Sequence, residues 1–257
     1  MVELDRFLAL AIDLADAAGE AIRPYFRRPI AVDDKPDRSP FTIADRAAEA
    51  AMRQLIAQRF PAHGILGEEF GREREEADFV WVLDPIDGTK SFISGVPLFG
   101  TLIALAHHGS PILGIIDQPI SRERWIGVSG HPTTLNGTPI RCRPCASLAG
   151  ATIFSTSPDM FGGEDAAAFT RLAPATKLVR FGADCYAYGL LAHGFIDLVV
   201  EASLKPYDFS AMVPIVEGAG GVASDWQGAP LTLASDGRVV VAGDRRAHLE
   251  ALALLAP

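Results

Sequence analysis

An apolar run that stops on two acids constrains this chain more than any other stretch. Trp81 to Phe92 reads WVLDPIDGTKSF. Trp81, Val82 and Leu83 predict the end of a buried strand, and Asp84 and Asp87 follow with Pro85 and Ile86 between them. Two carboxylates at a point where a strand breaks into a turn can converge, and a hard divalent cation takes such oxygens. Behind them, Gly88 and Thr89 can present backbone N–H groups at the start of a helix or tight turn, which suits a phosphate. A metal beside a phosphate cradle is the minimum apparatus for metal-assisted phosphoester hydrolysis. Asp-Gly is also common in ordinary turns. An EF-hand does not fit: counted from Asp84, the third, fifth and twelfth positions are Ile86, Gly88 and Gly95, where oxygen ligands are needed.

A chain of 257 residues, 49% hydrophobic, fits one large α/β domain or two coupled subdomains. The expected division is an N-terminal α+β part, residues 1–145, with most metal ligands, and a C-terminal α/β part, residues 146–257, with Asp208 and the substrate side. A net charge of −9 argues against nucleic-acid binding, which wants a basic face. It leaves an anionic substrate open, because bound metal reverses the local sign. No apolar run reaches the length of a membrane span. Glu3, Asp5, Asp13 and Asp16 interrupt the apolar N-terminus, so it reads as an amphipathic helix rather than a signal peptide. Cys142 and Cys145 form a C-x-x-C pair with no second pair or nearby His to complete a zinc site. With Cys185 they read as reduced thiols of a cytoplasmic protein.

Local patterns predict a helix over Leu4–Phe26, a Pro-rich loop over 30–41, and a helix from the Thr42 cap to about Phe60, with Asp45 at the capping-box position. Its apolar stripe is read as Ile43, Ala47, Ala50, Ala51, Leu55 and Ile56. Strands follow at Gly64–Gly67 and 79–83 with a charged loop between them, then an antiparallel hairpin of Thr101–His107 and Ile112–Gln118, a strand at Arg124–Ser129 and a turn at Asn136-Gly137. The second half predicts strands at Ala151–Ser155, Leu178–Phe181, Ile196–Glu201, Gly221–Ser224, Leu231 and Val239–Ala242. Its helices are Glu164–Leu172, Asp184–His193, Asp208–Gly220 and His248–Leu255. Meanders with interleaved helices argue for layered α+β or α/β sandwiches.

Asp84 and Asp87 have company. Glu68 and Glu69 end a Gly-rich strand, Asp45 opens a helix, and Asp208 sits at the start of another. Acids at element ends can gather around a cleft, and such carboxylates repel unless cations neutralise them. All are oxygen donors, which favours Mg²⁺ over Zn²⁺. The plainer alternative for each alone is a helix cap at Asp45 or Asp208 and a solvent-facing Glu69.

Gly67-Glu68-Glu69, Asp84-Pro-Ile-Asp87-Gly-Thr89, Tyr207-Asp208 and Gly218-Ala-Gly-Gly221 resemble the inositol monophosphatase family, as does Ser39-Pro40 through Asp45. The match runs in order from Lys35 to about Ser224. It implies an αβαβα sandwich, a cleft between two halves and a homodimer acting on small phosphomonoesters. Phe181 to Leu191 and Glu201 to Asp208 resemble the histidinol-phosphate phosphatases of this fold. Inositol phosphatases carry Trp where this chain has Tyr207. The family's G-x-G-A stretch before its N-G turn is replaced by Gly130-His-Pro-Thr-Thr-Leu-Asn136-Gly137.

The resemblance also implies roles. One Mg²⁺ is held by Glu68, Asp84 and the Ile86 carbonyl, a second by Asp84, Asp87 and Asp208, and a weaker third is water-linked to Glu68 and Asp45. Thr89, with Asp45, relays the proton of the attacking water, and the Gly88 and Thr89 amides hold phosphate oxygens. Asp184, Glu201, Gly182 and Ala183 form the substrate side, where Asp184 separates a cationic substrate from an inositol ring. From the residues alone, Lys90 reads as either a solvent-facing lysine or a phosphate contact, and Lys35 as a candidate to close over the phosphate from its loop. Tyr186 and Tyr188 read as packing aromatics.

Overall fold

Runs such as Val80–Leu83 and Leu102–Ala106 are apolar at every position, which requires cover on both faces of their sheet. The structure, a computed structural model, describes residues 2–34 and 40–256 and supplies that cover. The chain opens with α1 (Val2–Ile22), a hairpin of β1 (Val32–Asp34) and β2 (Pro40–Thr42), and α2 (Ile43–Arg59). Then come β3 (Gly64–Gly67), β4 (Gly71–Glu73), β5 (Phe79–Asp87), α3 (Thr89–Ile93), β6 (Gly100–His107), β7 (Ser110–Gln118), β8 (Glu123–Val128), β9 (Thr134–Leu135) and β10 (Thr138–Pro139). The remainder is β11 (Thr152–Ser155), α4 (Gly163–Leu172), β12 (Leu178–Phe181), α5 (Tyr186–Ala192), β13 (Leu198–Glu201), α6 (Pro206–Phe209), α7 (Met212–Gly218), β14 (Val222–Ser224), β15 (Val239–Ala242) and α8 (Arg245–Leu255).

One sheet has the order β10-β9-β8-β7-β6-β5-β3-β4, and a second has β12-β11-β13-β15-β14. Trp81, Leu83, Ile103 and Leu105 point from the large sheet onto Leu10, Leu14, Met52 and Ile56 of α1 and α2. Val80, Val82, Leu102 and Ala104 point the other way, onto Tyr188, Leu191, Ile215 and Val216 of α5 and α7. Those helices also meet Val199, Val239 and Val241 of the second sheet. Its far face, with Leu198, Val200 and Val240, is covered by Ala168 and Leu172 of α4 and Ala247 and Ala251 of α8. The layers are therefore αβαβα, as the resemblance implies. The middle helices lie close on the large sheet because two strand positions lack side chains. A Cβ at Gly114 would lie 1.9 Å from the Ala211 carbonyl oxygen, and one at Gly127 2.3 Å from the Ile215 nitrogen.

Several boundaries differ from expectation. Residues 71–73 are not loop but an exposed edge strand paired with β3. The loop expected over 30–41 contains β1 and β2, while Lys35 and Ser39 lie outside the described residues. The first helix gives way at Arg23–Tyr25 to a tighter turn, with Pro24 inside it. The single helix expected over Asp208–Gly220 is two, because the chain turns at Ser210-Ala211 and restarts at Met212. Pro214 is tolerated in the first turn of α7, where N–H groups have no partner within the helix. Leu231 belongs to no strand; it is buried as a core contact. The helix expected from Asp184 begins at Tyr186, since Ala183 (φ 94°) and Asp184 (φ 45°) adopt left-handed backbone.

Candidate active site

Strand β5 runs on past Leu83 and ends in an irregularity that puts both aspartates to use. Asp84 pairs with Leu102 and Asp87 with Gly100, so three steps on one strand face two on the other. In a regular strand, side chains three positions apart point to opposite faces. The bulge restores them to one side. The Thr101 hydroxyl fixes it by donating to the Pro85 carbonyl at 2.8 Å, and the Ile86 N–H donates to Asp84 Oδ1 at 3.0 Å. Asp208 arrives from α6, where its Oδ2 accepts the Lys205 N–H at 2.6 Å. One carboxylate oxygen from each of Asp84, Asp87 and Asp208 lies within 4.8 Å of the others.

The electrostatics show what this convergence costs. Burial raises Asp84 well above the ordinary carboxylate range, and Glu68, Asp87 and Asp208 push it further. Burial likewise raises Asp87, with Asp184 and Asp208 adding and the Cys185 N–H opposing. That N–H donates to Asp87 Oδ2 at 2.6 Å. Asp208 is raised to about 7 by burial, against the Lys205 N–H and with Glu68 and Glu201 repelling it. An all-oxygen, anionic, mutually repelling set is what a divalent cation neutralises. The donor set present therefore fits Mg²⁺.

Asp45 is fully buried, and its Oδ2 completes the capping box, accepting from the Thr42 N–H (2.8 Å) and hydroxyl (2.6 Å). Its Oδ1 is buried without a hydrogen-bond partner among the described residues. Burial lifts its carboxyl to about 6, opposed by Thr42 and aided by Glu68. Glu68, half-buried in the β3–β4 turn, hydrogen-bonds the Asp84 side chain. The Thr89 hydroxyl donates to the Ile86 carbonyl at 3.1 Å, which joins two of the residues assigned roles from sequence. Gly88 precedes α3 with φ 89°.

On the facing side, Gly182, Ala183 and Asp184 all have positive φ. This turn aims Asp184 back at the first half, where Ser91 donates to its Oδ2 at 2.8 Å. Burial raises Asp184, and Ser91 and Lys90 oppose the shift. Lys90 itself is exposed. Glu201 is buried and already engaged: its Oε1 accepts from the Thr156 N–H (2.8 Å) and hydroxyl (2.6 Å), and its Oε2 from the Tyr188 hydroxyl (2.6 Å). The tyrosines pack as expected, with Tyr188 fully buried and Tyr186 edge-on to Trp125. All three cysteines are free thiols. Sequence reasoning missed Ser91, Thr156, the Cys185 amide and Glu49, none of which stands in a motif of its own.

A layered fold that gathers Asp84, Asp87 and Asp208 as mutually raised carboxylates beside a Gly-Thr turn fits a metal-dependent phosphatase. The inositol monophosphatase family model matches residues 3–256, so the chain belongs to that family. It is 54% identical to the bifunctional phosphatase IMPL2, chloroplastic, of Arabidopsis thaliana over 97% of this chain and 75% of that protein. A histidinol-phosphatase of Chlorobaculum parvum is 37% identical over 90% of each. The structure of an inositol monophosphatase from Zymomonas mobilis superposes with a TM-score of 0.91 at 49% identity, over 98% of both chains.

Proposed function

We propose that this enzyme is a Mg²⁺-dependent histidinol-phosphate phosphatase of histidine biosynthesis, working in the cytoplasm as a homodimer. The observation that supports hydrolysis best is the convergence of Asp84, Asp87 and Asp208. Glu68, Asp84 and the Ile86 carbonyl would hold one ion, Asp84, Asp87 and Asp208 a second, and Glu68 with Asp45, through water, a weaker third. Bound Mg²⁺ supplies Lewis acidity toward the phosphoryl group and its attacking water. The chain's own groups do the rest. The Thr89 hydroxyl orients that water, and Asp45 Oδ1, buried without a hydrogen-bond partner among the described residues, takes its proton. The Gly88 and Thr89 amides hold the non-bridging oxygens. Residues 1–145 supply most ligands, and residues 146–257 supply Asp208 and the substrate side.

Histidinol phosphate offers an ammonium and an imidazole. Asp184 supports this substrate, because it is a carboxylate held at the cleft by one hydroxyl and faces Asp87. Gly182 and Ala183 shape the turn that presents it. Glu201 serves by backing this wall through Thr156 and Tyr188. A second reading, hydrolysis of inositol phosphate, is favoured by the resemblance to the Zymomonas mobilis inositol monophosphatase. Two measurements test the choice. Phosphate release should require Mg²⁺, and kcat/KM should be higher for histidinol phosphate than for inositol 1-phosphate; equal values remove the preference. Asp184→Ala should cost about 10²-fold in kcat/KM on histidinol phosphate, the scale of losing a buried charge partner. On an aryl phosphate it should cost only a few-fold, and an equal loss on both takes Asp184 out of the specificity side.

A further inference from the structure

We propose that Glu49 is a positioning residue that sets Glu68 for metal binding, an inference that rests on the metal-dependent reading above. Glu49 lies one turn after Asp45 on α2 and is fully buried. Its side chain reaches under the β3–β4 hairpin. Oε2 accepts the Glu69 N–H at 2.7 Å, and Oε1 accepts the Phe70 N–H at 3.2 Å and the Arg53 Nε at 2.8 Å. Arg53 then reaches the Gly71 carbonyl at 2.5 Å, so one ion pair holds the turn from Glu69 to the start of β4. Gly67 leaves the room: a Cβ there would sit 2.0 Å from Glu49 Oε1.

The turn held in this way begins with Glu68. The Glu68 N–H donates to the Leu83 carbonyl of β5 at 3.1 Å, one residue before Asp84, and its carboxylate meets the Asp84 side chain. The two turn amides could be satisfied by water at no cost in buried charge. A fully buried carboxylate is an expensive acceptor, and more so beside an anionic cleft. What it adds is a rigid, charge-assisted grip. The same helix carries Asp45, so α2 fixes one acid directly and a second through the hairpin. Partners of ligating carboxylates act in this way, and their loss typically weakens metal affinity 10–100-fold.

Direct Mg²⁺ titration by calorimetry on full-length wild type, Glu49→Gln and Gly67→Ala tests this, alongside melting in EDTA. Glu49→Gln keeps volume and one acceptor, and Gly67→Ala displaces the carboxylate without removing it. Both are expected to raise the Mg²⁺ midpoint at least ~10-fold, with kcat at saturating Mg²⁺ changed far less than the midpoint. An unchanged midpoint in Glu49→Gln, with or without a lower melting temperature, overturns the proposal and leaves Glu49 a structural turn cap. Wild type that takes up no Mg²⁺ overturns the metal reading itself, and shows it before any variant is compared.

Discussion

Asp84→Asn is expected to lower kcat/KM by at least ~10³-fold, about 4 kcal/mol of transition-state stabilisation, in a protein that stays folded. Glu68, Asp87 and Asp208 each repel Asp84. Asparagine offers one neutral oxygen where the proposed ions share a carboxylate. The fold has little to lose, because the Ile86 N–H that donates to Asp84 Oδ1 can still donate to an Asn oxygen. Without metal, the variant relieves buried like-charge repulsion, so its melting temperature in EDTA should equal or exceed that of wild type. The gain on adding Mg²⁺ should shrink, since ligand stabilisation follows affinity. The pH dependence has a defined sign. Asp208 is raised from 3.8 to about 7 in the metal-free fold. Its contribution to metal-free stability is therefore full below the unfolded value and is lost as pH rises through about 7. Melting in EDTA should be higher at pH 5 than at pH 8, and Mg²⁺ should offset that loss in wild type. Retained turnover in Asp84→Asn would remove the metal assignment.

The layers and the acids were legible in the sequence for different reasons. Strands β5 and β6 are apolar at consecutive positions, and burial on both faces is the only stable explanation. The capping box at Thr42 and Asp45 and the turn at Asn136-Gly137 are local chemistry, and both stand in the structure. The face of α2 was not legible. Its sequence stripe put Ile43 inward, yet Ile43 is 60% exposed and the buried positions are Ala44, Asp45, Ala48, Glu49, Met52 and Ile56. Two of those six are acids, Asp45 capping its own helix and Glu49 reaching the β3–β4 turn, so hydrophobic periodicity selects the wrong phase. Asp87 shows the same limit, because a strand period of two sends it away from Asp84 and only the bulge brings it back. The left-handed turn at Ala183 and Asp184 breaks a helical pattern that composition alone extends. In each case a functional side chain overrides the local rule, as expected where a site draws on several chain segments.

Gly88→Ala is the second large effect, expected to cost about 10²–10³-fold in kcat/KM on any phosphomonoester, the scale of losing a preorganised donor. Two costs coincide at this residue. Its φ of 89° is left-handed, which strains alanine by roughly 1–2 kcal/mol. An added Cβ would also lie 2.8 Å from Asp184 Oδ2 and 3.0 Å from Asp184 Cβ. Moving Asp184 away breaks its bond from Ser91 (2.8 Å) and disturbs the adjacent Cys185 N–H that holds Asp87 (2.6 Å). The loss should therefore reach Mg²⁺ affinity as well as phosphate placement. Gly130→Ala isolates strain from contact, because Gly130 also has a positive φ (79°) but a Cβ there meets nothing within 4 Å. That variant should lose about 1 kcal/mol of stability and keep its turnover. The double change Gly88→Ala with Asp184→Ala removes the closest contacts, those with the carboxylate at 2.8 and 2.9 Å, and leaves the strain and the tight 3.0 Å approach to the residue 184 Cβ. It should recover part of the rate on an aryl phosphate and none on histidinol phosphate, where Asp184 is needed. If Gly88→Ala and Gly130→Ala behave alike, with rate intact and only stability lowered, then Gly88 serves the backbone alone and the phosphate cradle must be sought elsewhere.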